Sequence, residues 1–154
     1  MPLSIEKYRQ DRCVVLSLAG SLMGAASAKK LRSAISDTIA ENQRLILVKL
    51  SGLGQGQDSP QPPMDDFGVE SLLAGAFMAS YADGALRLFG ANELTEFLNQ
   101  NGAAHLIIRA ETEADAAEEL YELVPDAQPF DILQFVREEE RQDTVETEIP
   151  EPQG

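Results

Sequence analysis

Tryptophan is absent from the 154 residues, and histidine and cysteine occur once each, as His105 and Cys13. A single cysteine cannot form an internal disulfide, which suits a reducing compartment. A lone histidine lacks the partners that a metal site or a general base needs. No Ser-His-Asp or Cys-His constellation is suggested by position, so Cys13 reads as a small core residue and His105 as structural. No run reaches the roughly 18 to 20 apolar residues of a membrane helix. Residues 1–7 lack the basic-then-apolar order of a signal peptide. The expectation is a cytoplasmic chain without direct membrane insertion. Positive charge is also scarce: 12 Lys and Arg stand against 26 Asp and Glu, a net charge of −14. The tightest basic cluster is Lys29, Lys30 and Arg32. Such a surface repels a phosphate backbone, so no nucleic-acid partner is expected.

What is present is a patterned apolar fraction of 44% in a chain of single-domain length. Residues 3–8 alternate, with Leu3 and Ile5 on one face and Ser4, Glu6 and Tyr8 on the other, as in a half-buried edge strand. Residues 13–18 are β-rich and read as its antiparallel partner, ended by Gly20. Leu31, Ala34, Ile35, Thr38 and Ile39 recur at helical spacing within 27–42, with Asn42 as the stop. The run 45–50 (LILVKL) suits a central strand buried on both faces. Residues 51–63 hold three glycines and three prolines and read as irregular.

A second helix starts near Asp65 or Asp66. Val69, Leu72, Leu73, Ala76, Phe77 and Ser80 form its expected apolar stripe, and Asp83-Gly84 closes it. Residues 85–89 are a strand. Asn92 is the expected cap of a short helix that stops at Asn101-Gly102. Residues 105–108 (HLII) read as one more strand. Thr112 caps a further helix lined by Ala116, Ala117, Leu120 and Tyr121. An amphipathic stretch over 130–142 carries Phe130, Ile132, Leu133, Phe135 and Val136, and is too short to be stable alone. The last eighteen positions, 137–154, hold seven acidic and two basic residues and have little to bury. The order β-β-α-β-α-β-α-β-α predicts an α/β fold: a mixed, mostly parallel β-sheet with helices packed on it.

Five local phrases, in this order, resemble the STAS domain of bacterial anti-sigma factor antagonists and of the cytoplasmic parts of sulphate transporters. Residues 18–22 (LAGSL) resemble its "L-S-G-x-L", and 45–52 (LILVKLSG) its hydrophobic strand followed by "D-L-S-G". Residues 64–69 (MDDFGV) stand at its "I-D-S-S-G-L", the motif that opens a helix. Residues 86–90 (LRLFG) resemble "L-x-L-V-G", and 93–102 the helix after it. The resemblance spans about residues 3 to 124. It implies a STAS-like domain over 1–124, with an amphipathic extension over 125–142 and an acidic tail over 143–154.

The resemblance also implies a function. It points to a non-enzymatic regulatory module whose partner is an anti-sigma factor or a serine-kinase-like protein, with no cofactor, and it allows a homodimer. The implied partner-binding residues are Met23, Asp65, Asp66, Phe67 and Gly68. Three departures from the family pattern matter. Asp66 occupies the position of the phosphorylatable Ser or Thr; Met23 occupies that of an Asp in "G-x-L-D"; and the loop between Gly52 and Met64 is long, at a cost of only about 0.6 kcal/mol per doubling.

A helix N-terminus presents free N–H donors and partial positive charge, where phosphate is well placed. A phosphoserine carries about −1.5 to −2 charge. Asp66 would imitate it in part and permanently, and an ordinary serine kinase could not toggle it. The plainer reading makes Asp66 a helix cap worth about 0.5–2 kcal/mol. Phe67 is read either as an interface anchor or as folded back onto the Pro-rich loop. Gly68 marks a close approach at the helix start.

Other chemistry is weaker. Asp58, Asp65, Asp66 and Glu70 could offer oxygens to a hard cation but lack calcium-loop spacing. Residues 52–56 follow a strand and are glycine-rich, yet lack the Lys-Ser/Thr of a P-loop. Ser59 could accept phosphate in an exposed loop. The competing functional class is a structural STAS subunit of a larger complex, such as a lipid-transport assembly, which the missing acceptor favours.

Overall fold

A computed structural model describes residues 2–56 and 61–124. The predicted extension over 125–142, the tail and the position of Asp58 and Ser59 lie outside the described residues.

Alternation along the strands builds a sheet with two dry faces. Strands β1 (Ser4–Gln10) and β2 (Cys13–Gly20) pair antiparallel through the tight turn at Asp11. Strands β3 (Leu45–Leu53) and β4 (Ala85–Phe89) then add in parallel, giving the order β1-β2-β3-β4. Val14, Leu16 and Leu18 with Ile46, Val48 and Leu50 point to one face; Cys13, Val15, Leu45 and Leu47 point to the other. Both faces are covered, as a parallel sheet requires. Helices α1 (Gly24–Ala40) and α2 (Asp66–Tyr81) cover the first face through Leu31, Ile35, Val69 and Leu72. Helix α3 (Thr95–Gln100) extends that core with Leu98. Helix α4 (Glu113–Leu123) covers the second face with Ala116, Ala117 and Leu120.

The α/β fold with a mostly parallel sheet is as expected, but several local readings need correction. Residues 105–108 are not a strand. Ala104–Leu106 turn as a 3₁₀ helix, and pairing is confined to one parallel bridge, Leu88 with Ile107, backed by the Ile108 N–H donating to the Leu88 carbonyl at 2.8 Å. Residues 51–53 belong to β3 rather than to the irregular loop. Gly52 makes this possible, because a Cβ there would strike the Leu18 carbonyl oxygen of β2. Helix α1 begins at Gly24, three residues earlier than the apolar spacing suggested, and Asn42 in the left-handed region (φ 64°) follows its end.

The stripe of α2 also shifts. Phe77 and Ser80 face outward, and the buried positions are Gly68, Val69, Ser71, Leu72, Gly75 and Ala79. Small residues are invisible to an apolar-periodicity reading, yet here they let α2 lie close to α1. Asn92 makes no side-chain cap; it sits at φ 42° at the start of a 3₁₀ turn, Asn92–Leu94, that leads into α3.

Candidate functional site

The end of the sheet where β2 and β3 finish gathers four of the sequence-predicted residues around one carboxylate. Leu22 and Met64 form an isolated parallel bridge, with the Leu22 N–H donating to the Pro63 carbonyl at 2.8 Å. That bridge sets the N-termini of α1 and α2 side by side. Asp65 is the N-cap of α2: its Oδ1 accepts from the Gly68 N–H at 3.1 Å. Its Oδ2 accepts from the Gly24 N–H at 2.9 Å, the first turn of α1. One side chain therefore caps two helices, and two partial positive ends converge on it. Met23, the N-cap residue of α1, contributes no side-chain cap. The position where the resemblance leads one to expect an Asp needs none here, because Asp65 reaches across from the next helix.

This arrangement separates the roles of the two neighbouring acids. Asp66 is not the cap. It is exposed in the first turn of α2, and its carboxylate makes no hydrogen bond or ion pair among the described residues. Asp65, with both oxygens on backbone N–H groups, is held in place and is a poor candidate for a cation ligand. Gly68 is buried against the β2–α1 connection. A Cβ there would lie 2.5 Å from the Leu22 carbonyl oxygen and 2.7 Å from the Met64 side chain. Any larger residue would push the mouth of α2 away from Leu22.

Two apolar side chains flank the free acid. Phe67 is 51% exposed and Met23 is 39% exposed. Both border a shallow, mostly apolar depression of about 350 Å³ that also takes in Pro62, Asp66 and Phe97. Phe67 thus borders the Pro-rich loop while leaving half of its surface open. Phe97, on α3, reads from the sequence as one of the apolar residues of the short helix after Asn92, with Leu94 and Leu98, and nothing in its spacing marks it for this surface. Thirty residues and a strand separate it from Phe67.

The other sequence candidates lie elsewhere. Cys13 is buried under α4, its thiol donating to the Ala117 carbonyl at 3.3 Å. Burial pushes that thiol up to about 11, with Asp11 adding to the rise. His105 is exposed on the 3₁₀ turn of residues 104–106, so it is not a core residue. The glycines of residues 52–56 end β3 and form a turn with Gly54 and Gly56 in the left-handed region; they do not run into a helix. No helix among the described residues is long and apolar enough to cross a membrane.

No protein-family model matches the chain, and no curated protein is significantly similar to it in sequence. Solved structures are similar in fold. The anti-sigma factor antagonist SpoIIAA in its unphosphorylated form superposes with a TM-score of 0.61 at 20% identity, covering 77% of this chain and 97% of that one. The phosphorylated form of SpoIIAA, a Bacillus cell fate determinant, gives 0.54 at 19% identity over 76% and 97%. The protein TM1081 gives 0.61 at 19% identity over 74% and 86%. Likeness at this identity establishes the architecture: the described residues adopt the STAS-type α/β fold that SpoIIAA also has.

Proposed function

We propose that this chain is a non-enzymatic, cytoplasmic regulatory module that binds another protein through the mouth of α2. In this reading it acts as an anti-sigma factor antagonist does, and its partner is an anti-sigma factor or a serine-kinase-like protein. Asp66 stands where a phosphorylatable relative would carry Ser or Thr, and Met23, Asp65, Phe67 and Gly68 complete the surface. The observation that carries the reading is the division of labour between adjacent carboxylates. Asp65 satisfies both helix ends, which leaves Asp66 exposed beside two exposed apolar side chains with no structural task. A charged group flanked by apolar anchors is what a protein interface uses. The likeness in fold to SpoIIAA supports the kind of partner.

A fixed carboxylate also favours a second reading, a constitutive STAS subunit of a larger assembly. Asp66 has no hydroxyl to modify, so an ordinary serine kinase and its opposing phosphatase could not toggle this position. Capture with a panel of anti-sigma factors and serine-kinase-like proteins from the source organism tests the first reading. The expected result is a complex lost on Asp66→Lys and on Phe67→Ala. A complex indifferent to both substitutions, or no complex with the panel, would contradict it. Stable co-purification with an ATPase or membrane complex would support the second.

A further inference from the structure

The depression beside Phe67 does not stop at α2. It shares Gln61, Pro62 and Phe97 with a wider cleft of about 630 Å³ at the carboxyl ends of β3 and β4. The two adjoining depressions make up a groove beside the Asn92–Gln100 segment. Its apolar floor is confined to the α2 end, with Met23, Phe67, Pro62 and Phe97, and the wider cleft is mostly polar. Its charged rim is acidic throughout: Asp66 at one end, Glu93 and Glu96 at the other, all exposed. Among the described residues, no Lys or Arg lines either part. The ion pairs among the described residues, Lys7 with Glu41 and Lys49 with Glu113, lie elsewhere.

From this we infer that the groove receives a basic amphipathic segment of a partner protein, its apolar side chains on Phe67 and Phe97 and its Lys or Arg side chains along Asp66, Glu93 and Glu96. The inference rests on the reading of α2 as a protein-binding site and adds the chemistry and extent of what binds there. Charge complementarity selects this occupant. Three acids without compensating cations attract a cationic segment and repel an acidic one, and the apolar floor supplies the anchoring contact. Like-charge repulsion between copies of a chain of net charge −14 disfavours a second copy as the occupant.

The test uses the full chain and a short synthetic peptide with Leu and Arg at amphipathic helical spacing, against a counterpart with Glu in place of Arg. Binding is read by anisotropy of labelled peptide at about 0.15 M salt, where the Debye length is about 8 Å and distant charges contribute little. The Arg peptide is expected to bind and the Glu peptide not. Affinity should fall at least about tenfold in Glu93→Lys/Glu96→Lys, as a charge pair at an interface allows. The control Glu118→Lys/Glu119→Lys on exposed α4 positions makes the same change in net charge, and should lower affinity by no more than about twofold. Amide shifts on titration should map to Phe67, Phe97 and Glu93. Equal losses in the two double variants would reduce the effect to the overall charge and overturn the inference, as would equal binding of the Glu peptide. Sedimentation as a dimer that Glu93→Lys/Glu96→Lys splits would hand the groove to a second copy and overturn it too. With the captured partner, loss on Phe67→Ala without loss on Glu93→Lys/Glu96→Lys would remove this inference and leave the proposed function standing; loss on neither would remove both.

Discussion

Helices α2 and α4 open with the same local grammar and use it in opposite ways. Each has an oxygen-bearing cap followed at once by an acid: Asp65 then Asp66, and Thr112 then Glu113. At α4 the cap is local, with Thr112 Oγ1 accepting from the Asp115 N–H at 3.1 Å. Its acid turns inward. Glu113 accepts from the Tyr8 hydroxyl at 2.5 Å and pairs with Lys49 at 3.2 Å, which latches α4 to β1 and β3. At α2 the cap does the long-range work, bridging to α1, and the acid is left outside. A first-turn acid is therefore structural or available according to what its neighbours require, and sequence position alone does not distinguish the two.

Substitutions can break or sharpen that contrast. The largest effect is expected at Gly68. A Cβ there meets a backbone oxygen as well as Leu22 and Met64, so Gly68→Ala should lower stability by about 2–3 kcal/mol, as overpacking does. Chemical denaturation reads this directly; an unchanged midpoint would mean the α2 mouth is looser than its geometry implies. Next come the caps. Asp65→Ala removes acceptors from two N–H groups and should cost about 2 kcal/mol, whereas Thr112→Ala removes one and should cost about 1 kcal/mol. Equal losses would deny Asp65 its double role.

The acids should differ in the same sense. Glu113→Ala should destabilise by about 1 kcal/mol, and Asp66→Ala should stay within about 0.5 kcal/mol of wild type. The smallest effect is in alkali. Burial and the Glu113 contact raise Tyr8 from 10.0 to about 12. A raised value means that the folded state holds the proton more tightly, so this contribution is intact below pH 10 and is lost as pH rises toward 12. The pH dependence of the melting temperature in that window should be shallower in Tyr8→Phe. Cys13, raised from 9.0 to about 11, loses its own contribution over a lower window and is unaffected by that substitution.

Much of the scaffold was legible from residue pattern. The alternation of β1 marks an edge strand, the unbroken run of β3 marks a strand buried on both faces, and Thr112 marks α4 as local chemistry predicts. Failures arose where tertiary contact overrides local signal. His105 to Ile108 looks like a strand, but only Ile107 and Ile108 pair with β4. Phe77 fits the helical stripe of α2 and still faces outward, because α2 buries Gly68, Ser71, Gly75 and Ala79 instead, with Gly75 against Ile35 of α1. Asp65, Asp66, Phe67, Gly68 and Met23 could be placed near one another from the fold resemblance. Which acid capped and which stayed free could not, since the answer depends on Gly24, forty-one residues away along the chain. Phe97, Glu93 and Glu96 join the site only through the fold.

The most direct test of the central claim is calorimetric titration of the captured partner into wild type and Asp66→Ala/Phe67→Ala, with melting temperature followed alongside. The account predicts affinity at least about 30-fold weaker, in keeping with the loss of an interface hot spot, at an almost unchanged melting temperature. Undiminished affinity in the double variant would contradict it.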